Sequence, residues 1–416
     1  MSNRTRVSTR EIIYIFVALL LYFEIYLLQF ITAFRYFDEL LAVLCLMKVL
    51  LEVFKKNLDR IQIYMLLLML LVLSIGLVSN YRTNLQQNPE AVLTDVGSTF
   101  KVFVTYIGAA LFLKPVKDKK FIVKTLATVM RFFVVILLGG LALHLTGIYP
   151  MGQDVRYGIP SYQFINDGPA QLSMMFFTLL VILVADMRYD RHRRQLKFLF
   201  IVAAAVVWAF TLRTRAFLYI AIFFVLYWLL VVKKKQIKLN WKTVLLVVIF
   251  LLVFSLDQID TYFGENKTAR YWLLYYGFYT MRYYFPFGAG FACYGTDAAV
   301  KYYARLYIRY GFTRIWGLSP GYSMFAHDTY WPAIMGQFGF FGLVAMGMVI
   351  IFWAKEVLSR TKYSSYTYLA GLFVVLTQVA SSAAEATFFL FVTEGLFFIL
   401  PILFDDSTSQ TEKSAQ

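Results

Sequence analysis

The chain has 416 residues, of which 60% are hydrophobic and only 15% are charged, and its mean hydropathy is +0.65. A soluble domain is typically about 45–50% apolar and about 25% charged, so this composition excludes an ordinary soluble protein and predicts an integral membrane protein. The net charge of +16 could indicate nucleic-acid binding, but in a membrane protein it is typical of basic cytoplasmic loops. Cys45 lies in a predicted span and Cys293 in a loop, so no disulfide framework is indicated.

Twelve segments are apolar over about the length that a membrane-spanning helix needs, which is roughly 20 residues. The first follows a basic N-terminal stretch and is too long for the core of a signal peptide, so we expect it to remain as a span. The predicted spans are Ile12–Phe34, Phe37–Phe54, Ile61–Val78, Val92–Leu113, Phe121–Thr146, Pro169–Met187, Phe198–Leu212, Ala216–Val232, Val244–Leu256, Pro332–Ala354, Tyr366–Ser382 and Ala386–Phe404. Together they predict an all-α polytopic membrane protein.

Lysine and arginine predict the orientation of these spans, because cytoplasmic loops are enriched in both. With the N-terminus in the cytoplasm, every connection on the cytoplasmic side is basic, including Arg188–Lys197 and Lys233–Lys242. Both termini are then cytoplasmic, the longest connection lies outside, and the positive charge needs no nucleic acid to explain it. The prediction is four regions, which are spans one to nine (1–256), an extracytoplasmic loop with short helices (257–331), spans ten to twelve (332–404) and a disordered cytoplasmic tail (405–416).

The long loop carries basic and aromatic residues at helical spacing. Lys301, Arg305 and Arg309 recur every four residues and therefore share one helical face. A second face carries Tyr303, Leu306, Tyr307 and Tyr310. This pattern predicts an amphipathic helix at the membrane surface, with its aromatic rings at headgroup level. The alternative is a helix that only rests on the membrane.

Arg213-Thr214-Arg215 separates two apolar runs by three residues, which predicts a sharp turn at the outer surface. Two arginines at this position oppose the preference for positive charge on the inside. The planar guanidinium fork matches two phosphate oxygens, so the pair indicates a phosphate-binding site. The alternative is that both side chains only anchor the helices at lipid headgroups.

A second basic and aromatic stretch begins at Thr268-Ala269-Arg270 and continues through Arg282 to the glycine-rich segment Pro286–Phe291. Gly288 and Gly290 have no side chain, so we expect the backbone N–H groups there to approach a ligand closely. The alternative is an interfacial aromatic helix followed by a turn.

His327 is the histidine that the sequence places best for proton transfer. It opens a span beside Asp328 at the end of the cationic loop, and an imidazole titrates near neutral pH. His192 lies in a basic cluster and is expected to be solvated, whereas His144 is expected to pack at a helix end. The span that follows His327 has glycines whose spacing predicts close helix packing, namely Gly336, Gly339 and Gly342.

Several carboxylates lie inside or near predicted spans, and each needs a reason because an intramembrane charge costs a few kcal/mol. They are Glu24, Asp38, Glu39, Glu52, Asp95 and Glu385. We expect each to pair with another group in the bundle, as Lys101 also should, and Asp38 is placed where it could reach the outer site. No cluster has metal-ligand spacing, so the sequence predicts no metal site.

Three motifs occur in a fixed order, which are TRA at 214–216, AR at 269–270 before PFGAGF at 286–291, and HDTYWPAIMGQFGFFG at 327–342. With the predicted spans and the one long outer loop late in the chain, they resemble the O-antigen polymerase and ligase superfamily of bacterial membrane proteins, which includes Wzy-type polysaccharide polymerases. The motifs cover about residues 210–345, and the topology covers the whole chain. The resemblance implies a GT-C-like glycosyltransferase whose donor glycan is carried on undecaprenyl pyrophosphate, with no nucleotide sugar, essential metal or other cofactor.

The resemblance also implies roles for individual residues. Arg215 and Arg270 match the family arginines that hold the pyrophosphate leaving group, and His327 matches the histidine near the acceptor hydroxyl. The further substrate-binding candidates are Arg213, Arg282, Arg305, Arg309, Asp328 and Tyr330. The family's ligases often have Asn after the histidine, so Asp328 makes this chain more similar to the polymerases.

The implied function is polymerisation of lipid-linked repeat units into a surface polysaccharide, such as an O-antigen, a capsule or an exopolysaccharide, at the outer face of the bacterial cytoplasmic membrane. Donor and acceptor would both be undecaprenyl-pyrophosphate-linked oligosaccharides, and a chain-length regulator is a candidate protein partner. A ligase that transfers finished glycan to a terminal acceptor shares the donor half of the site, so the sequence separates the two poorly. A flippase for the same lipid also suits twelve spans, but the clustered outer cations and the lack of an internal repeat favour the enzyme.

Overall fold

The computed structural model describes residues 7–116, 118–234 and 268–404. These residues are mainly helical and include one short hairpin, in which β1 (Val155–Arg156) pairs antiparallel with β2 (Ile159–Pro160). The helices before the hairpin are α1 (Thr9–Leu27), α2 (Phe37–Phe54), α3 (Arg60–Thr83), α4 (Pro89–Leu113) and α5 (Lys120–Leu145). Those after it are α6 (Pro169–Asp186), α7 (Arg194–Ala209), α8 (Thr214–Tyr227), α9 (Ala269–Tyr283), α10 (Asp297–Lys301), α11 (Arg305–Arg309), α12 (Tyr330–Thr361), α13 (Ser365–Ser382) and α14 (Phe391–Ile399).

Six helices among the described residues are long and apolar enough to cross a membrane. They are α3, α4, α5, α6, α12, and α8 with its π-helical continuation to Val232. Large apolar side chains such as Leu67 of α3 and Phe132 of α5 are exposed on the bundle, which suits contact with lipid. The apolar helices indicate a lipid bilayer environment, and the prediction of an all-α membrane protein is confirmed at this level.

The remaining predicted spans agree with the observed helices to different degrees. α2 has the predicted bounds, but it and α1 each carry several charged side chains. α7 and α13 coincide with predicted spans, whereas Val244–Leu256 lies outside the described residues. The count of twelve spans and the GT-C-like arrangement therefore stay predictions.

Two predicted spans are not continuous helices. The first, Ile12–Phe34, is an α-helix only to Leu27 and is followed by a 3₁₀ turn. The last, Ala386–Phe404, contains the nine residues of α14 and then a 3₁₀ turn in which Pro401 has no N–H to continue the helix. Hydropathy predicts both as single spans because it does not register a break in the backbone.

Aromatic side chains tie the two ends of the chain together in the core. Trp353 of α12 stacks on Phe397 of α14 with 4.6 Å between ring centroids, and Tyr14 of α1 stacks on Phe398 at 4.7 Å. The Tyr14 hydroxyl also donates a 2.6 Å hydrogen bond to the Phe398 carbonyl. Ring pairs of this kind contribute about 0.5–1.5 kcal/mol beyond their burial, so these contacts fix α1 and α12 against α14.

Most of the carboxylates near spans have the partners that the sequence predicts. Asp38 of α2 forms an ion pair with Lys101 of α4, and Glu52 forms one with Lys48 at 2.6 Å. Asp95 of α4 accepts a hydrogen bond from a backbone N–H of the loop after α9. The interpretation that Asp38 reaches the outer site is not supported, because its carboxylate is held inside the bundle by Lys101.

α12 is broken at Gly339, whose backbone angles are φ 63° and ψ −156°. The carbonyls of Gly336 and Gln337 accept hydrogen bonds from the N–H groups of Ala289 and Gly290, at 2.9 and 2.8 Å. A loop segment thus satisfies the carbonyls on one side of the break. Irregular backbone inside a membrane protein requires such partners, because lipid offers no hydrogen bonds.

This pairing corrects the prediction for Gly288 and Gly290. A Cβ at Gly288 would lie 2.4 Å from the backbone nitrogen of Gly339, and one at Gly290 would lie 2.7 Å from the backbone nitrogen of Asn80. The missing side chains therefore allow close approach to α12 and α3 rather than to a ligand. The N–H groups at Ala289 and Gly290 already donate to the carbonyls of α12.

The sequence predicts that Gly336, Gly339 and Gly342 allow close packing between helices. Their nearest neighbours instead belong to loop segments or to α12 itself. A Cβ at Gly336 would lie 2.5 Å from the ring of Tyr294, and the nearest neighbours of Gly339 belong to the segment around Gly288. The nearest neighbour of Gly342 is Phe338 of its own helix. The glycines admit the loop and the break in α12, because a larger residue would push the two segments apart.

The predicted amphipathic helix over 301–310 is wrong. The chain forms two short helices, α10 and α11, and Tyr303 between them has a positive φ of 41°. Tyr307 and Leu306 are fully buried in a second hydrophobic core rather than lying at a membrane surface. The Tyr307 hydroxyl accepts from the N–H of Gly295 at 2.7 Å and donates to the carbonyl of Ala326 at 3.2 Å. Tertiary packing of the tyrosines outweighs the local helical periodicity.

Candidate functional site

The turn between α7 and α8 places Arg215. Leu212 adopts a left-handed φ of 51° and Arg213 is extended, so the chain reverses before α8 begins at Thr214. Arg215 lies in the first turn of α8, and its Nη2 is 2.5 Å from Oε1 of Glu385, which follows α13. The predicted sharp turn is confirmed, and its second arginine forms an ion pair.

Arg270 lies in the first turn of α9 and forms an ion pair with Asp328, which lies just before α12. Both Nε, at 2.7 Å, and Nη2 of the guanidinium donate to Oδ2 of Asp328. Burial raises the pKa of the Asp328 carboxyl above its usual range, and the Arg270 guanidinium opposes that shift. This contact joins the start of α9 to the start of α12.

The two ion pairs belong to one cluster of alternating charge. After burial and Arg270, the pKa of Asp328 responds to Glu385, which raises it, and to Arg215, which lowers it. Asp328 is therefore paired with Arg270 and within electrostatic reach of the Arg215–Glu385 pair, and we call these four side chains the Arg–carboxylate cluster. Four separate parts of the chain supply it, so no single motif contains it.

His327 lies next to this cluster in the chain and faces a different carboxylate. Its Nε2 is 3.5 Å from Oδ1 of Asp297, the first residue of α10. Its Nδ1 is buried and has no hydrogen-bond partner among the described residues. The contact is loose, because the two side chains are 41% and 71% exposed, and it makes Asp297 the charged neighbour of the His327 ring.

Arg213 extends the positive charge of the site toward the hairpin. Its Nη2 is 4.0 Å from Oδ2 of Asp154, and the Nε of Arg156 donates to the same oxygen at 3.0 Å. Burial, followed by the nearby charge of Arg156, lowers the pKa of Arg213. The loop that contains β1 and β2 thus brings a third arginine toward Arg213 and Arg215.

The structure does not bring Arg305 and Arg309 to the Arg–carboxylate cluster through any direct contact. Arg305 donates to the carbonyl of Asn84, at 3.4 Å, and to the side chain of Gln87, at 3.3 Å. Arg309 donates to the Tyr284 hydroxyl at 2.9 Å. These hydrogen bonds attach α11 to the α3–α4 connection and to the end of α9.

Arg282 and Tyr330 also contribute no side chain to the cluster. Arg282 is twelve residues after Arg270 on the same regular helix, which separates the two by about 18 Å along the axis. It lines an open groove of about 580 Å³ together with aromatic side chains of α9 and Met335 of α12. Tyr330 is fully buried against Phe388 and Phe389, so it packs in the core rather than lining an open site.

A narrow crevice with both polar and apolar lining opens beside Glu385. Its lining includes Gln378, Ser381 and Thr387, and it runs between α6, α13 and α14. The side-chain oxygens of Gln378 and Thr387 are buried without a hydrogen-bond partner among the described residues. Ser381 shares a 2.7 Å hydrogen bond with the hydroxyl of Tyr219 on α8. The carboxylate of the Arg215 ion pair thus borders a crevice of about 10 Å³, which is roughly the room that one water molecule needs.

Sequence reasoning leaves Glu385 and Asp297 out of the site. Glu385 is recognised only as a carboxylate near a span, and Asp297 shows no pattern beyond a helix start after Thr296. Their partners, Arg215 and His327, lie far away in the sequence, so spacing cannot reveal the two carboxylates. Within the described ranges, no group of three or more His, Cys, Asp or Glu residues is arranged to hold a metal ion.

The other two histidines agree with their predicted settings. His144 is buried at the end of α5, where its Nδ1 accepts from the N–H of Met151 at 2.9 Å and its Nε2 lies 3.0 Å from the carbonyl of Pro160. His192 is exposed in the basic connection before α7. Neither belongs to the Arg–carboxylate cluster, which leaves His327 as the histidine beside it.

A comparison with protein-family models and with curated proteins finds no match for this chain.

Proposed function

We propose that this protein is a membrane glycosyltransferase that polymerises undecaprenyl-pyrophosphate-linked oligosaccharide repeat units into a surface polysaccharide. The observation that carries the proposal is that the Arg270–Asp328 ion pair lies within electrostatic reach of the Arg215–Glu385 pair, and His327 directly precedes Asp328 in the chain. Guanidinium forks bind phosphate oxygens in pairs, and two of them suit a diphosphate. The apolar bundle suits a donor whose polyprenyl chain stays in the bilayer.

In the proposed reaction, a sugar hydroxyl of the acceptor attacks the anomeric carbon of the donor glycan. The new glycosidic C–O bond forms as the bond between that carbon and the pyrophosphate oxygen breaks, and undecaprenyl pyrophosphate leaves. His327 takes the hydroxyl proton, and Arg215 and Arg270 stabilise the negative charge that develops on the leaving group. Asp297 is the charged neighbour of the His327 ring in this step.

Glu385 and Asp328 have a supporting role in this proposal. Each holds one guanidinium in place before the donor binds, because even a partly buried arginine is stabilised by a counter-charge. A diphosphate carries more negative charge than either carboxylate, so it competes for the same guanidinium donors. The distribution of lysine and arginine supports an extracytoplasmic position for the site in the bacterial cytoplasmic membrane.

The proposal is tested with purified protein in detergent, a synthetic lipid-pyrophosphate oligosaccharide and separation of the products by size. Wild type is expected to form products longer by whole repeat units, whereas Arg215→Ala and Arg270→Ala reduce the rate about 10²–10³-fold. Arg35→Ala is the matched control, because Arg35 is an exposed arginine in the α1–α2 connection and is expected to leave the rate unchanged. Equal rates in all four proteins would exclude the site.

Loss of the protein in the producing bacterium separates polymerase from ligase. A polymerase mutant is expected to keep single repeat units attached to the terminal acceptor, because ligation still proceeds. A ligase mutant lacks attached glycan altogether. The second result would replace polymerisation by ligation while leaving the donor half of the site as proposed.

A further inference from the structure

A second group of charges lies inside the bundle, on helices that carry none of the proposed catalytic residues. It consists of Lys101 of α4 surrounded by Glu24 of α1, Asp38 and Glu39 of α2, and Glu394 of α14. Lys101 forms an ion pair with Asp38, and its Nζ is 3.8 Å from Oε2 of Glu394. Glu24 lies within electrostatic reach of Asp38, Glu394 and Lys101. We call these five residues the Lys101 cluster.

The Lys101 cluster is deeply buried and has an excess of acids. Glu24 is 2% exposed, Asp38 is 4% exposed and Glu394 is 0% exposed, whereas Glu39 reaches the surface of the bundle. Among the described residues, Lys101 is the one cation that forms ion pairs with these carboxylates. Ionisation of the three buried carboxylates would leave two negative charges unbalanced in an apolar bundle, which is strongly unfavourable.

The hydrogen bonds locate the carboxyls that lack a partner. Oε1 of Glu394 accepts a 2.7 Å hydrogen bond from the Thr105 hydroxyl of α4, but its Oε2 has no hydrogen-bond partner among the described residues. Oε2 of Glu24 is likewise buried without one. The titratable group that faces the cluster from α2, besides Asp38 and Glu39, is the Cys45 thiol, which lies near Glu394 and is itself near Tyr14 of α1.

A metal ion does not fit the cluster, because the described residues contain no group of three or more ligands arranged to hold one. A proton removes the charge of a carboxylate and needs no coordination shell. We propose that the Lys101 cluster is a proton-binding site, in which Glu24 and Glu394 are protonated in the folded protein while Asp38 stays ionised against Lys101. Protons reach it from water through Glu39, whose side chain adjoins Asp38.

The proposal fixes the sign of a pH effect on stability. The folded protein holds protons on Glu24 and Glu394 that the unfolded chain releases at neutral pH. A state that binds more protons is favoured at lower pH, so the stability of the fold falls as the pH rises. Replacing both glutamates with glutamine, which is neutral at every pH, removes this dependence.

The experiment measures thermal unfolding of the full-length protein in detergent at about pH 6 and about pH 9. Wild type is expected to unfold at a lower temperature at the higher pH, and Glu24→Gln/Glu394→Gln is expected to lose at least half of that difference. Glu52→Gln is the matched control, because Glu52 is a buried glutamate of α2 that is paired with Lys48. Its pH difference should equal that of wild type.

Infrared spectroscopy at neutral pH is the second readout, and it does not depend on unfolding. Protonated carboxyls give a carbonyl band that shifts in D₂O, and this band should lose intensity in the double variant but not in Glu52→Gln. A band of equal intensity in wild type and double variant, or an equal pH difference in unfolding, would overturn the proposal. If the double variant does not fold, the same criteria apply to Glu394→Gln alone.

Discussion

Arg215 and Glu385 form an ion pair with 2.5 Å between Nη2 and Oε1, although Arg215 lies in the first turn of α8 and Glu385 follows α13, far away in the chain. The pair lies within electrostatic reach of Asp328, which is itself paired with the second arginine, Arg270. This arrangement makes the position of one guanidinium depend on a carboxylate that no motif contains. The first prediction follows from that dependence.

Glu385→Gln should reduce the rate of glycan transfer about 10- to 100-fold, because Arg215 loses the charge that orients it and a small misplacement is costly in catalysis. Glu385→Asp keeps the charge and should retain most of the rate. In the Arg215→Ala background, Glu385→Gln should have little further effect, since the two residues act as a unit. Additive losses in the double variant would contradict a positioning role.

Protonation of Asp328 is expected to lower the transfer activity at acid pH, which gives the pH–rate profile an acid limb. Burial raises the pKa of its carboxyl, so protonation occurs above the usual range for an aspartate. The ionised form is the one that holds Arg270, and activity is therefore present above this pKa and lost as the pH falls through it. Asp328→Asn should be slower at neutral pH and lack this limb. A profile with the same acid limb in both proteins would assign the limb to another group.

Substitutions at Gly288 and Gly311 test whether the 286–290 segment is fixed to α12 at its break, with Gly311 as the matched control. Both have positive φ, but a Cβ at Gly288 meets the backbone of Gly339 at 2.4 Å, whereas a Cβ at Gly311 meets nothing within 4 Å. Gly311→Ala should cost about 1 kcal/mol of unfolding free energy from its φ alone. Gly288→Ala should cost at least about 2 kcal/mol more, because backbone must move. Thermal unfolding in detergent compares the two, and equal losses would mean that the 286–290 segment is not fixed to α12.

Tyr307 and Tyr330 are both fully buried tyrosines, and their hydroxyls differ in bonding. The Tyr307 hydroxyl joins Gly295 to Ala326, whereas the Tyr330 hydroxyl has no partner among the described residues. Tyr307→Phe should lower the free energy of unfolding by about 1–3 kcal/mol, because two backbone groups lose a partner. Tyr330→Phe should change it by less than about 0.5 kcal/mol. A large loss for Tyr330→Phe would contradict the prediction, because it would mean that the Tyr330 hydroxyl forms a stabilising hydrogen bond.

The sequence predicts the helices of this fold better than their contacts. Apolar run length is a local property, so α2 is predicted with its observed bounds and the turn at Arg213–Arg215 at its observed place. The break at Gly339 is missed because it depends on a distant loop segment that supplies N–H groups to the freed carbonyls. The helix predicted over 301–310 fails for the same reason, since burial of Tyr307 decides the local backbone.

The residues of the candidate site divide in the same way, into those that the local sequence identifies and those that only the folded chain brings near. Arg215, Arg270 and His327 are chosen because their residue types and order are informative along the chain. Glu385 and Asp297 are missed because only the folded chain places them beside Arg215 and His327. Arg305 and Arg309 have suitable chemistry, but their hydrogen bonds attach α11 to the α3–α4 connection and to the end of α9.

The most direct measurement of the central claim counts the products of a single transfer by the purified protein. With a lipid-pyrophosphate oligosaccharide as both donor and acceptor, each new glycosidic bond should release one undecaprenyl pyrophosphate, and both yields should fall together in Arg215→Ala and Arg270→Ala. Glycan extension at the wild-type rate in those variants would contradict the account, as would a protein that binds the lipid and forms no glycosidic bond.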